Sequence, residues 1–237
     1  MEKDMVKKQL NSNLRYERKY IVPNHLKDIY KICFLENSNL LQELFQPRLV
    51  YSIYYDTEDF FLANKNIEGD SKRYKIRTRF YNNKNPDFVY LEIKSKNCEI
   101  GDKKVLKIKN YNKLINKDLI YLEKHKDFFA GNISLINKLN LLFPVLFVAY
   151  KRYYFTDLNK KIRVTFDENI TYQNLRNYKL HLNDNSIYTS FDENCVIEIK
   201  YPVDKELRFD EIISHLDLRV QRNSKYINGL NKMMIFS

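Results

Sequence analysis

The sequence predicts an α+β protein dominated by antiparallel sheet. Three observations carry that prediction. Eight segments alternate polar and apolar residues with period two. Helical spacing occurs in only three places. Short turn-like stretches such as YNNKNPD link several of the alternating segments. Mostly β segments, with few helices set among them, is the pattern of an α+β fold.

The elements follow in order. Residues 14–22 (LRYERKYIV) alternate and read as the first strand. Pro23-Asn24 then starts a helix whose apolar stripe is Leu26, Ile29, Tyr30, Cys33 and Phe34. Strands are predicted at 50–56, 73–81, 88–96 and 103–109. Asp56, in YYDT, reads as a turn or cap residue. Residues 112–142 are rich in Leu, Ile and Lys and read as helical, with Lys113, Lys117, Lys124 and Lys126 on a solvated face. Strands return at 147–156, 161–168 and 195–201. A short stripe of Phe209, Ile212, Ile213 and Leu216 closes the series as a helix.

Composition narrows the function. The chain has 237 residues, and Lys plus Arg total 41 against 30 Asp plus Glu, a net charge of +11. That surplus favours an anionic partner. Cys33, Cys98 and Cys195 are far apart with no CxxC, so neither a disulfide framework nor a thiolate zinc site is expected. His25, His125, His181 and His215 have no metal-ligand spacing. The glycines are isolated, which excludes a Walker loop and a dinucleotide-binding turn. Any phosphate must therefore be held by side chains. The N-terminus has no apolar signal core, and the run LLFPVLFVAY is far short of the ~20 residues that span a bilayer. A cytoplasmic protein with no membrane segment is expected. Residues 1–12 read as an N-terminal extension and 13–237 as one domain.

Parity across the strands sharpens the question. One face carries Arg15, Glu17 and Lys19, then Arg73, Lys75, Arg77 and Arg79, then Glu92, Lys94 and Lys96. It continues with Arg152, Arg163, Thr165, Asp167, Glu198 and Lys200. The other face carries Tyr20, Ile76, Phe80, Leu91, Ile93, Val164, Phe166, Ile197 and Ile199. Two arrangements satisfy this. Either the charged faces meet water over a sandwich core, or they line a closed barrel with apolar sides covered by helices. In the second case, cations far outnumber carboxylates, and a polyanion such as a run of phosphates would balance them. The carboxylates would then hold Mg²⁺ or Mn²⁺.

The stretches RYERKYIV, YSIYYDTEDF, KRYKIRTRFY, VYLEIKSK, YKRYYF, IRVTFDENI, VIEIKYP and SKYINGL occur in this order. Together, over about residues 13–230, they resemble the VTC-type polyphosphate polymerase domain of the triphosphate tunnel metalloenzyme (CYTH-like) superfamily. The resemblance implies an eight-stranded antiparallel tunnel, a closed barrel with a charged interior and flanking helices. It implies an ATP-dependent transferase that moves the γ-phosphate of ATP onto a growing polyphosphate chain with Mn²⁺ or Mg²⁺. On this reading, Lys19, Lys75, Arg77, Lys94, Arg152 and Arg163 grip the triphosphate, with the strand cations Arg15 and Arg79 beside them. Glu198 and Glu17 hold the metal. Tyr150 stacks on the adenine. Lys225, Arg152 and Lys200 are the catalytic cations. Lys96, Lys103, Lys104 and Lys107 either line a tunnel mouth or face solvent.

The cyclase and triphosphatase branch carries ExExK on its first strand. This chain has Arg15-x-Glu17-x-Lys19, which suits the polymerase branch. The membrane segments and regulatory domain of eukaryotic members are absent from this sequence, as in a stand-alone bacterial form. The acceptor would be an already ionised terminal phosphate, so no general base is needed. The rivals are a tunnel triphosphatase, a non-catalytic polyphosphate-binding module and a nucleic-acid binder. The last is not expected, because it has no need of paired carboxylates.

Overall fold

The computed structural model describes residues 15–36, 41–83, 86–98, 100–109, 122–130, 133–176, 189–205, 210, 213, 214 and 216–234. Its strands are β1 (Arg15–Pro23), β2 (Leu41–Asp56), β3 (Lys72–Tyr81), β4 (Phe88–Asn97), β5 (Ile100–Lys109), β6 (Phe143–Asp157), β7 (Arg163–Asn174), β8 (Thr189–Phe191) and β9 (Asn194–Pro202). The helices are α1 (Lys27–Glu36), α2 (Phe61–Ile67), α3 (Ile133–Ile136) and α4 (Lys225–Lys232). The hydrogen-bonded order is β1-β9-β7-β6-β2-β3-β4-β5, with β8 on β7.

The expected α+β class and all eight anticipated strands are present. β8 is additional, and β2 begins nine residues before the predicted position 50. The expected closure is not confirmed. Among the described residues, β1 and β5 stand at the two ends of the hydrogen-bonded order, so the sheet is not closed by hydrogen bonds. Of the predicted middle helix, 112–121, 131 and 132 lie outside the described residues. The rest forms 3₁₀ turns at Leu122–Phe129 and Leu139–Leu141 around α3. Lys124 and Lys126 are exposed there, as expected; Lys113 and Lys117 are not described. The late stripe through Phe209 and Ile212 also lies largely outside the described residues.

The chain divides into two compact units. The first comprises residues 1–48, 150–170 and 192–223. In it, β1 pairs antiparallel with β9, and β9 with β7. Tyr20, Val22, Val164, Phe166, Ile197 and Ile199 share one apolar cluster. α1 joins it through Phe34, whose ring meets Phe166 edge-on at 5.6 Å. The helix is fixed by its start. Pro23 ends β1, Asn24 N–H bonds Glu193 O at 2.8 Å, and the Asn24 side-chain amide donates to Asp192 O at 3.0 Å.

The second unit comprises residues 49–149, 171–191 and 224–237. In it, the end of β2 pairs with β3, β3 with β4, and β4 with β5, all antiparallel. Tyr51, Ile53, Tyr55, Ile76, Phe80, Leu91 and Ile93 form the core on one face. Full burial of each such side chain contributes roughly 1.5–3 kcal/mol. On the other face, Ser52, Arg77, Arg79 and Glu92 are buried too. A solvated polar face would leave those charges open, so the simple sandwich alternative does not describe this unit.

Candidate functional site

In the first unit, the strand register builds a lattice of alternating charge. Glu17 stands opposite Lys200 and Lys19 opposite Glu198 across β1 and β9. Across β9 and β7, Arg163 stands opposite Lys200 and Thr165 opposite Glu198. Because directly opposed residues share a face, these side chains meet. Lys200 Nζ lies 2.9 Å from Glu198 Oε1 and 3.0 Å from Glu17 Oε2. Lys19 Nζ lies 3.1 Å from Glu17 Oε1 and 3.8 Å from Glu198 Oε2. Burial opposes ionisation of Glu198, but the charges of Lys200, Arg152 and Lys19 outweigh it and hold the carboxyl well below its usual range. Glu17 is also lowered: burial and Glu198 act against ionisation, Lys19 and Lys200 for it. Lys200 is raised, since its two carboxylate partners outweigh its burial. Both carboxylates therefore stay charged near neutral pH.

Arg152, on β6, donates from Nε to Asp167 Oδ1 at 2.5 Å and from Nη2 to Asp167 Oδ2 at 2.6 Å. Its guanidinium carbon lies 5.3 Å from the centre of the Tyr150 ring. Tyr150, the ring expected to stack on a base, is itself buried. Arg163 is exposed at the first position of β7. Arg15 opens β1 opposite Pro202, and its side chain lies outside the described residues.

In the second unit, cations converge on one carboxylate. Glu92 accepts from Arg77 Nε at 2.7 Å, and Arg77 Nη2 lies 2.6 Å from the same oxygen. Arg79 Nη1 lies 4.0 Å away, and Lys103 Nζ is 2.6 Å from Glu92 Oε1. Burial works against this charge, but the three cations prevail and take the Glu92 pKa down to about 2. Lys75 donates to Ser224 Oγ at 2.9 Å, and that hydroxyl also caps α4 by accepting from Ile227 N–H. Lys225 is the first residue of α4. Lys94 stands opposite Lys75 on one side and Lys103 on the other. Lys96, Lys104 and Lys107 are exposed.

Among the expected residues, Glu17, Lys19, Glu198 and Lys200 meet in one unit with Arg152 coupled to them. Lys75, Arg77, Arg79, Lys94 and Lys225 fall in the other. Sequence reasoning counted Asp167 and Glu92 among the charged-face carboxylates; the structure pairs Asp167 with Arg152, and Glu92 with Arg77 and Lys103. Ser224 and Tyr226 carried no signal of their own, because their partners are about 150 residues or more away.

Two carboxylates on adjacent strands, Glu17 and Glu198, are a suitable but incomplete donor set for a hard divalent cation. Mg²⁺-like ions take one or two carboxylates plus water and substrate phosphate oxygens. Among the described residues, no group of three or more His, Cys, Asp or Glu side chains is placed to hold a metal without such help. Nor, among them, is any helix long and apolar enough to cross a membrane.

Comparison with known proteins places the chain in a family. The VTC domain profile fits residues 14–234. A putative adenylyl cyclase from Hippeastrum with a dominant triphosphatase activity superposes with a TM-score of 0.53 at 11% identity, covering 90% of this chain and 93% of that one. The PH1819 protein from Pyrococcus horikoshii gives a TM-score of 0.49 at 15% identity, with coverage of 92% and 99%. A putative adenylate cyclase from Vibrio parahaemolyticus gives 0.45 at 14% identity, with coverage of 90% and 97%. No match is found among curated proteins. With nearly its whole length matched by the profile, the chain belongs to the VTC domain family.

Proposed function

We propose that the protein makes polyphosphate, transferring the γ-phosphate of ATP to the terminal phosphate of a growing chain. The observation that carries this reading is the Glu17–Lys200–Glu198–Lys19 lattice. It places two charged carboxylates among cations that can exchange a carboxylate oxygen for a phosphate oxygen at little cost in charge pairing. Glu198 and Glu17 would hold the divalent cation, which would neutralise charge on the phosphoryl oxygens. Lys19, Lys200, Arg152 and Arg163 bind phosphate oxygens in the first unit. Lys75, Arg77, Arg79 and Lys94 do so in the second. Arg152 is fixed by Asp167 through two hydrogen bonds, so its remaining N–H groups would bind phosphate without reorganisation of the guanidinium. Lys225 stabilises the charge that develops during transfer. The acceptor phosphate is an anion at neutral pH and needs no general base.

A second reading, triphosphate hydrolysis, draws support from the activity of the Hippeastrum neighbour. The same cradle would serve, with water in the acceptor's place. One incubation separates the two. Purified protein with ATP and Mn²⁺ yields long phosphate chains if it is a polymerase and orthophosphate alone if it is a triphosphatase. Recovery of ATP unchanged, with either Mn²⁺ or Mg²⁺, refutes both.

A further inference from the structure

Asp56 is fully buried at the end of β2. Its carboxylate accepts three backbone N–H groups: Thr57 and Leu62 at 2.8 Å on Oδ1, and Ala63 at 2.9 Å on Oδ2. This is the cap role that YYDT implied, serving the first turn of α2. The turn it braces is tight enough to put Phe60 in the left-handed region, at φ 55°. Capping explains three donors but not the fourth, since the Tyr226 hydroxyl also donates to Oδ2, at 2.5 Å. Burial and the Asp56 charge both raise the Tyr226 pKa well above its usual range, so the phenol keeps its proton and donates.

Tyr226 is the second residue of α4, next to Lys225 and two residues after Ser224. Its ring stacks on Tyr54 at 4.9 Å with an interplanar angle of 12°. The Tyr54 hydroxyl accepts from Arg77 Nη1 at 3.1 Å. One continuous line therefore runs from Asp56 through Tyr226 and Tyr54 to the guanidinium clamped on Glu92. A helix needs only one cap at its start, and Ser224 supplies it. The Tyr226 bond adds something the cap does not: it ties the first turn of α4 sideways to a fixed strand end.

We propose that Tyr226, through Asp56, is a positioning residue that fixes the first turn of α4 and thereby holds Ser224 against Lys75 and sets the position of Lys225. What Lys225 does there rests on the functional reading above; how α4 is seated does not. Tyr226→Phe is the informative variant, because it keeps the ring stack and removes only the hydroxyl. Two measurements on the full chain decide the matter. In hydrogen exchange, the amides of Ile227 and Asn228 are expected to exchange about 10-fold faster, with β3 and β4 amides unchanged, since losing a bond to a charged acceptor makes local opening easier by that order. In turnover of ATP, kcat is expected to fall about 10-fold with KM held within about twofold, the pattern of a group needed only in the transition state. Asp56→Asn combined with Tyr226→Phe should cost no more turnover than the more damaging single change, because both variants remove the shared Tyr226–Asp56 bond, while only Asp56→Asn also disturbs the α2 cap.

Unchanged exchange in α4 overturns the proposal. So does faster exchange with intact kcat, which would make the bond a structural tie only. If the wild-type protein turns over no triphosphate, the functional reading fails, while the exchange measurement still decides whether Tyr226 seats the helix.

Discussion

Arg152 and Asp167 meet through two parallel hydrogen bonds, from Nε to Oδ1 and Nη2 to Oδ2, with Asp167 wholly buried. A fork-to-fork pair of this kind fixes both position and plane of the guanidinium. Asp167→Ala leaves that guanidinium largely buried and without its partner. Breaking a buried pair from one side costs roughly 3–5 kcal/mol. The Arg152 side chain retains 16% exposure, which favours the lower end. A loss of about 3 kcal/mol in urea unfolding is therefore expected, and the double change Arg152→Met with Asp167→Leu should recover much of it. A single variant as stable as the parent would mean that the pair contributes no net stabilisation.

Much of this arrangement was legible before any coordinates. Period-two spacing put Arg77, Glu92, Asp167 and Glu198 on one face, and Ile76, Ile93, Phe166 and Ile197 on the other. The register confirms both faces, because a strand's side-chain alternation is rigid. Which carboxylate pairs with which cation was not legible. Glu92 had cations available on both neighbouring strands, and register alone opposes it to Arg77 and Val105. Lys103 reaches it diagonally, and sequence gives no measure of a lysine's reach. Tyr226 and Asp56 were illegible for a different reason. Their bond spans 170 residues, and neither residue type is unusual where it stands. Strand closure was not legible, because alternation says which face a residue takes, not whether the last strand bonds the first.

The Glu92 clamp has a pH signature. Its folded pKa, about 2, lies below the ordinary value of 4.5. A depressed carboxyl contributes stability above the unfolded value and loses it as pH falls toward the folded one. The contribution is thus complete above about pH 4.5 and gone near pH 2, and amounts to roughly 3 kcal/mol. Glu92→Gln should lose that amount at pH 7 and flatten the acid limb between those two values. Stability curves that stay parallel from pH 5 to pH 2 would show that Arg77, Arg79 and Lys103 do not act through this carboxylate.

Gly229 sits inside α4, where alanine would normally favour the helix by about 1 kcal/mol. A methyl group there would meet Leu146 Cδ2 at 2.5 Å and Tyr172 Cδ1 at 2.6 Å. Both neighbours are buried, so neither has free space to yield into. Overpacking of this kind costs about 1–3 kcal/mol and should outweigh the helix propensity. Gly229→Ala is expected to lower the melting temperature by several degrees. It should also lower turnover if the seat of α4 sets Lys225. A more stable variant would mean that α4 moves outward freely, and would weaken the case for a fixed helix start.

Glu198 and Glu17 differ in a way that metal titration can read. The Glu198 side chain is 14% exposed, against 40% for Glu17, and Glu198 has Arg152 acting on it as well as both lysines. The more buried carboxylate is preorganised and cannot be replaced by water at equal strength. Glu198→Gln is therefore expected to reduce divalent-dependent turnover on the order of 100-fold. Glu17→Gln should chiefly raise the Mn²⁺ concentration needed for half-maximal rate, and excess metal should restore it. Charge reversal, Glu198→Lys, should abolish turnover at any Mn²⁺ concentration, since a third ammonium beside Lys19 and Lys200 repels the ion. Undiminished synthesis by the Glu198→Lys protein would remove this residue from the metal site and leave the lattice a purely structural one.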